Sequence, residues 1–213
     1  MPSTARMLSW LAGLLFAFAS VAVQAQATAQ APDALIKSVS TDVLDTVKSD
    51  PSFKAGDINK VIALVDSKVM PHVDFQRMTA SAVGRYWRQA SPEQQKRLQD
   101  EFKLLLVRTY SGALAQVKDQ SVQLKPMRAS PEDNEVVVRT EVRGKGDPIQ
   151  LDYRLEKTPQ GWKIYDVNVL GVWLVENYRN NFTQEISANG IDGLITKLAE
   201  HNKATAGGTA TKN

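Results

Sequence analysis

The strongest constraint on the fold is a two-residue alternation of side chains between residues 136 and 156. The positions predicted to share one face are Val136, Val138, Thr140 and Val142, followed by Ile149, Leu151, Tyr153 and Leu155. Most of the residues between them are charged, and a Gly-Lys-Gly-Asp sequence typical of a turn separates the two halves. Because strand side chains alternate between faces, the pattern predicts an antiparallel hairpin with one apolar face.

The segments on both sides extend this hairpin to a four-stranded antiparallel meander. Residues 122–128 precede the hairpin, and residues 162–169 follow it after a Pro-Gln-Gly turn. Gly171 is expected to end the fourth strand, because helical spacing begins soon after it, at Val175. The chain is therefore expected to bend at Gly171 and fold back over the sheet as a helix.

Helices are predicted before the sheet and at the end of the chain. Apolar residues recur at helical spacing over residues 32–50 and 57–69, and a last helix is expected from residue 191. The sequence SPEQ at residues 91–94 is typical of a capping box that opens a helix to about residue 114. That helix is apolar on nearly every side at residues 104–107, which predicts contacts on two sides. We expect an α+β fold.

The N-terminal segment indicates export. Residues 1–25 combine Arg6, a largely apolar run and a VQAQA sequence with small residues for cleavage, which is the layout of a secretory signal peptide; an uncleaved anchor is the alternative. Cysteine is absent, so export to a bacterial periplasm is expected.

One domain is predicted over residues 32–201, and a disordered tail over residues 203–213. Lys and Arg total 26 against 23 Asp and Glu, and no basic run indicates nucleic-acid binding.

Catalytic motifs are scarce. The sequence has two histidines and neither a zinc motif, a GxSxG motif nor a nucleotide-binding glycine loop, so no metal or cofactor is expected. Asp166 remains as a candidate general base, because it alternates with Trp162 and Ile164 and is expected to share their face. The alternative is that Asp166 pairs with an arginine or caps the bend. The surplus of apolar residues fits either an ordinary core or a cavity.

Several motifs, in order, resemble one known family. They are PHVDF, GRYWRQASPEQQ, LLVRTYSGAL and GWKIYDVNVLGVWLVENYRNNF. Together they resemble the MlaC family, the periplasmic phospholipid-binding proteins of the Mla system, also called the toluene-tolerance family. The resemblance covers about residues 32–200. It implies a short antiparallel sheet and several helices enclosing an apolar cavity, which holds the acyl chains of a phospholipid while the head group stays outside.

The resemblance also implies a role, and the long helix, the apolar face of the sheet and the glycine bend supply the residues expected at the site. The protein is expected to be a monomer, not an enzyme, and to carry phospholipid between an outer-membrane lipoprotein complex and an inner-membrane ABC transporter complex, which maintains outer-membrane lipid asymmetry. Tyr86 and Trp87 are expected at the entrance, and Arg85, Arg88 or Arg108 near the phosphate. The residues expected to line the cavity are Leu105, Leu106, Tyr110, Val138, Leu151, Tyr153, Ile164, Val169, Val172 and Trp173.

Two other functions stay open at this point. One is a small periplasmic enzyme that acts on a hydrophobic substrate through Asp166, assisted by Tyr153. The other is a binding module for hydrophobic solvents or quinones. The molecule that copurifies with the protein would separate these hypotheses from a phospholipid carrier.

Overall fold

The structure is a computed structural model that describes residues 30–130 and 132–207. The predicted signal peptide, residues 1–25, lies outside this part of the chain. The helices of the described part are α1 (Pro32–Ser49), α2 (Ile58–Leu64), α3 (Phe75–Val83), α4 (Pro92–Ala115) and α5 (Leu174–Gly207). Its strands are β1 (Ser121–Leu124), β2 (Glu135–Arg143), β3 (Ile149–Thr158), β4 (Gly161–Val169) and β5 (Val172–Trp173).

The sheet is an antiparallel meander in the order β1-β2-β3-β4-β5. The α+β prediction is confirmed, but the described part has five strands where four were expected. The additional strand is β5, whose two residues pair with Asn168 and Val169 at the end of β4. The turn before it consists of Leu170 and Gly171, which have φ values of 53° and 92°. Two positive φ values are typical of a tight hairpin turn, so the bend at Gly171 returns the chain to the sheet for two residues before α5 begins.

The capping box at the start of α4 forms as predicted. The Gln94 backbone N–H donates to Ser91 Oγ at 3.2 Å, and the Ser91 N–H donates to Gln94 Oε1 at 3.0 Å. The prediction that α4 is packed on two sides is also confirmed. Phe102 and Leu105 are buried in one apolar cluster, while Val107 is buried in another.

Three clusters make up the apolar core. The first joins α3, α4 and α5 around Phe102, whose ring centroid lies 5.1 Å from those of Tyr178 and Phe182. The second joins α1, α2 and α4, and includes Val47. The third joins α1 to one face of the sheet, where Leu155 is fully buried. We call this face of the sheet the inner face and the opposite one the outer face.

A β-bulge in β4 changes which residues share a face. Arg154 pairs with Asp166 and Leu155 pairs with Ile164, so Tyr165 has no partner in β3. One extra residue in a strand shifts the alternation beyond it to the other face. The prediction that Asp166 shares the face of Ile164 is therefore wrong, because Asp166 lies on the outer face.

The last helix contains a break and extends further than expected. Gly190 has φ 73° and ψ 179°, a non-helical conformation that divides α5 where two separate helices were predicted. The helix then continues to Gly207, which is within the segment predicted to be a tail. The Thr205 hydroxyl donates to the His201 carbonyl at 3.0 Å in this part of the helix. Among the residues that the structure describes, no helix has the length and apolar character needed to cross a bilayer.

Candidate functional site

A layer of half-buried apolar and aromatic side chains lies where the first and third core clusters meet. Val167 contacts both the first and the third cluster, so it marks the junction between them. We call this set the inner layer, and its members are Val39 of α1, Leu106 and Tyr110 of α4, Leu151 and Tyr153 of β3, Val167 and Val169 of β4, and Tyr178 of α5. Since these side chains are uncharged and incompletely buried, the layer can accommodate an apolar ligand.

Packing of the inner face of the sheet loosens from one end to the other. Leu155 and Ile164, near the β3–β4 turn, are 0% and 3% exposed. Leu151 and its cross-strand partner Val169 are half-buried, and Ile149 at the start of β3 is 40% exposed. The inner layer is therefore closed at the β3–β4 turn and open at the opposite end of the sheet.

The tyrosines of the inner layer remain neutral. Burial is the main cause that raises the pKa of Tyr153, although hydrogen bonds with the side chains of Ser40 and Thr140 oppose it. Burial also raises the pKa of Tyr178, against a hydrogen bond with Thr109. The layer therefore presents aromatic rings with no formal charge at neutral pH, which suits a hydrocarbon ligand.

The structure brings together five of the predicted site residues and places the others around them. The five in the inner layer are Leu106, Tyr110, Leu151, Tyr153 and Val169. Leu105, Val138 and Ile164 are buried in the packed core beside or beneath the layer. Val172 is 50% exposed at the open end.

Tyr86 and Trp87, which were expected at the entrance, and Trp173, which was expected in the wall, lie outside the layer. Tyr86 and Trp87 pack against the first cluster, and the Tyr86 hydroxyl is 2.8 Å from Ser187 Oγ. Ser187 lies more than three turns along α5 from Leu174, or about 20 Å from the open end. Trp173 pairs with Asn168 on the outer face, because the tight turn and the bulge set the orientation of β5.

On the outer face, Trp173 belongs to a contact that anchors the start of α5. The Arg154 guanidinium carbon lies 3.8 Å from the centroid of the Trp173 ring, and Arg154 Nη1 donates to Asp166 Oδ2 at 3.0 Å. Asp166 Oδ1 accepts from the N–H groups of Val167 at 2.9 Å and Val175 at 3.1 Å. Asp166 is 1% exposed, and burial raises its pKa in spite of these contacts.

This arrangement does not support Asp166 as a general base acting together with Tyr153. Both carboxylate oxygens of Asp166 already accept hydrogen bonds. Tyr153 lies on the inner face, so the sheet separates the two side chains. Between residues 30 and 207, with residue 131 left aside, no group of three or more His, Asp or Glu side chains is arranged to hold a metal ion.

The sequence prediction missed three members of the inner layer: Val39, Val167 and Tyr178. Val39 and Tyr178 were predicted to lie on the apolar faces of their helices, but helical spacing does not distinguish packed positions from positions at a cavity. Val167 was missed because simple alternation from Ile164 places it on the outer face, whereas the bulge places it on the inner face. A strand assignment that included the bulge would have placed Val167 on the inner face.

Comparisons with known proteins give consistent results. The model of the family described as MlaC protein matches residues 37–200. The intermembrane phospholipid transport system binding protein MlaC of Haemophilus influenzae is 24% identical over 196 residues, covering 90% of this chain and 92% of that protein. The toluene tolerance protein ttg2D of Pseudomonas putida is 26% identical over 183 residues, covering 83% of this chain and 85% of that protein.

A solved structure supports the fold and the family. It is the phospholipid-binding protein of Ralstonia solanacearum in complex with a phospholipid, which is 50% identical and superimposes with a TM-score of 0.79. The similarity covers 82% of this chain and 98% of that one. The family model spans most of the present sequence, and the fold agrees with that of the Ralstonia protein. This chain belongs to the MlaC family.

Proposed function

We propose that this protein is a phospholipid carrier whose inner layer contacts the acyl chains. The observation that carries the proposal is the graded packing of the inner face, from fully buried Leu155 to exposed Ile149. A graded apolar surface with an open end allows a chain to enter lengthwise while the head group stays in water. The phospholipid bound to the Ralstonia protein, at 50% identity, supports the same ligand class.

The energetics of acyl-chain burial fit a carrier. Burial of a methylene group is worth about 0.8 kcal/mol, so two acyl chains are strongly protected from water by any apolar enclosure. A bilayer protects the same chains nearly as well, which makes exchange between a bilayer and the protein close to balanced. No precise hydrogen bonds are needed for the chains, in agreement with a wall of aliphatic and aromatic side chains. The direction of transfer must then come from other proteins.

We also propose a cellular location and partner complexes for the protein. We expect the mature protein to act in the periplasm as a monomer, after removal of residues 1–25. It would exchange phospholipid with an inner-membrane ABC transporter complex and an outer-membrane lipoprotein complex, and so contribute to lipid asymmetry of the outer membrane. The name of the Haemophilus relative, an intermembrane phospholipid transport system binding protein, supports this role.

A charge placed in the inner layer tests the proposal. Leu151→Glu would place a carboxylate among half-buried apolar side chains, where an unpaired charge is unfavourable and would repel acyl chains. Val137→Glu is the matched control, because Val137 is also a half-buried aliphatic residue of the sheet but pairs with Arg154 on the outer face. Each protein is purified without detergent, checked for folding by circular dichroism, and analysed by native mass spectrometry with lipid extraction.

The proposal predicts bound phospholipid in the wild type and in Val137→Glu, and little or none in folded Leu151→Glu. Bound phospholipid in all three would show that Leu151 is not part of the wall. A wild-type protein that carries no phospholipid, and takes none up from added lipid, would contradict the carrier function itself.

A further inference from the structure

Three large apolar side chains are exposed together at the open end of the sheet. They are Ile149, Leu170 and Val172, which are 40%, 66% and 50% exposed, and we call them the apolar rim. The Leu170 N–H donates to the carbonyl of Gln150 at 3.1 Å, so the β4–β5 turn lies against the start of β3. Within the described residues, these are the only exposed large hydrophobic side chains.

The backbone at Leu170 is unusual for a leucine. Its φ of 53° makes Leu170 the one residue other than glycine with a positive φ in the described part of the chain. Left-handed backbone conformations favour glycine and asparagine, because a larger side chain approaches the carbonyl oxygen. Since the side chain is also two-thirds exposed, packing does not compensate for the strain. A leucine in this position points to a role outside folding.

The apolar rim is continuous with the inner layer. Val172 pairs with Val169, and Ile149 lies two residues before Leu151 on the same strand, so both rim residues share the inner face with layer residues. A hydrocarbon chain that leaves the inner layer at its open end therefore reaches the rim first. The rim is placed to contact whatever donates or receives that chain.

Basic side chains border the rim on the β1–β2 side. Exposed Lys145 lies in the β2–β3 turn, and exposed Lys118 lies in the loop before β1. Exposed Arg143 ends β2 and is paired with Glu141, with Nη2 2.6 Å from Oε2. The two loops are adjacent, because a Cβ atom at Gly144 would lie 3.0 Å from Gln120 Cγ. Lys48 Nζ also reaches this loop, donating to the Gln120 carbonyl at 2.7 Å. The acidic residues beside these cations are Asp119, Asp147 and Glu141, so the four cations Lys48, Lys118, Arg143 and Lys145 exceed the three anions by one.

We propose that the apolar rim and its bordering cations form a contact surface for a bilayer that contains anionic phospholipids. The three aliphatic side chains enter the interfacial region while Lys118 and Lys145 face lipid phosphates. This inference rests on the proposed carrier function, since it assigns the surface through which the inner layer meets a membrane.

Vesicle binding by the full mature protein tests the inference. The probe is vesicles of equal parts phosphatidylethanolamine and phosphatidylglycerol, compared with vesicles of phosphatidylcholine alone, in a flotation assay at low and high salt. Leu170→Asn removes the apolar side chain and places a residue that favours positive φ, so it is expected to fold at least as well as the wild type. Leu170→Met is the matched control, because it keeps an apolar side chain at the strained position.

We expect the wild type and Leu170→Met to bind the anionic vesicles more tightly than phosphatidylcholine vesicles, with binding weakened by salt. Leu170→Asn is expected to bind about tenfold more weakly, because an apolar side chain is lost from the interface. Equal binding by Leu170→Asn and the wild type would overturn the inference. Absence of vesicle binding by the wild type would also overturn it and would assign the rim to a protein partner.

The same preparations separate this inference from the carrier function. Native mass spectrometry measures the phospholipid that each variant carries after purification. Bound phospholipid in Leu170→Asn, together with weak vesicle binding, supports both proposals. A wild-type protein that carries no phospholipid contradicts the carrier function, whereas one that carries phospholipid but ignores vesicles contradicts only the membrane contact.

Discussion

Asp166 shows how much one buried side chain can determine at the residue scale. Its carboxylate joins β4 to β3 through Arg154 and to the first turn of α5 through the Val175 N–H. An exposed carboxylate at the start of a helix contributes little to the stability of the fold. The Asp166 carboxylate, however, is 1% exposed and accepts three hydrogen bonds. It therefore fixes the angle at which α5 leaves the sheet, and with it the position of Tyr178 in the inner layer.

Asp166→Ala is expected to destabilise the protein by about 3 kcal/mol, because two backbone N–H groups and a guanidinium lose their acceptor. Urea unfolding followed by circular dichroism measures the effect. The control is Asp147→Ala in the exposed β2–β3 turn, where a change within about 0.5 kcal/mol is expected. Equal stability of the two variants would show that the contacts of Asp166 contribute nothing to the fold.

The pH dependence of stability offers a second test of the same residue. Burial raises the pKa of Asp166 above its ordinary value of 3.8, so the folded protein binds this proton more tightly than the unfolded chain. The contribution is present in full below pH 3.8 and is lost as the pH rises through the folded pKa. The free energy of unfolding of the wild type minus that of Asp166→Asn should therefore decrease over this window and then level off. A difference that increases with pH there would contradict the assignment.

At the scale of elements, the break in α5 depends on a single glycine. Gly190 has φ 73° and ψ 179°, a region that is essentially restricted to glycine. The break separates the part of α5 with Phe182 from the part with Leu194, yet both are buried in the first cluster. The two halves can therefore pack on the same helices only because the chain changes direction at this position.

Gly190→Ala is expected to destabilise the protein by about 1–3 kcal/mol through backbone strain alone. Nothing lies within 4 Å of a Cβ atom built at Gly190, so a steric clash with a neighbour is not involved. The matched control is Gly112→Ala in α4, which also meets nothing within 4 Å but has helical geometry. There alanine should stabilise by about 0.5–1 kcal/mol. Urea midpoints that move in the same direction would refute this account.

The elements also show which parts of the fold a sequence can predict. The helices and the β2–β3 hairpin were predictable, because burial of one face imposes a periodicity on ten or more residues. Strand β5 was not, since two residues carry no period. The bulge at Tyr165 was not either, because apolar residues occur on both sides of it and only the pairing with β3 determines the register. The candidate site was predictable in part. Leu151 and Tyr153 come before the bulge and β5, so simple alternation places them on the correct face. Trp173 comes after the bulge and within β5, so alternation does not place it.

At the scale of the whole molecule, the inner layer is the place where the first and third clusters are incompletely joined. Each of these clusters contains fully buried side chains, such as Phe102 and Leu155, whereas the layer between them is half-buried. A ligand in the layer would contact α1, α4, α5 and the sheet at once. Lipid binding is therefore expected to stabilise the molecule as a unit.

Protein freed of lipid and then given phospholipid should unfold at a higher urea concentration than the lipid-free protein. A ligand at a hundred times its dissociation constant stabilises the folded state by about 2.7 kcal/mol. Leu151→Glu serves as the comparison, because its midpoint should not respond to phospholipid. The account fails if both proteins respond equally, or if the wild type does not respond.

The order of strands in the meander has a consequence for how the molecule folds. Every strand pairs with the strand next to it along the chain, so the sheet requires only short loop closures. Helix α1 is different, because it packs against β1 and β2 from the far end of the sequence. The sequential strand pairing gives the sheet a low contact order, which favours its rapid local assembly. Docking of α1 is then the late, long-range step. Until α1 docks, the inner layer lacks one wall, and the newly folded sheet and α4 expose the apolar surface to which we propose that lipid binds.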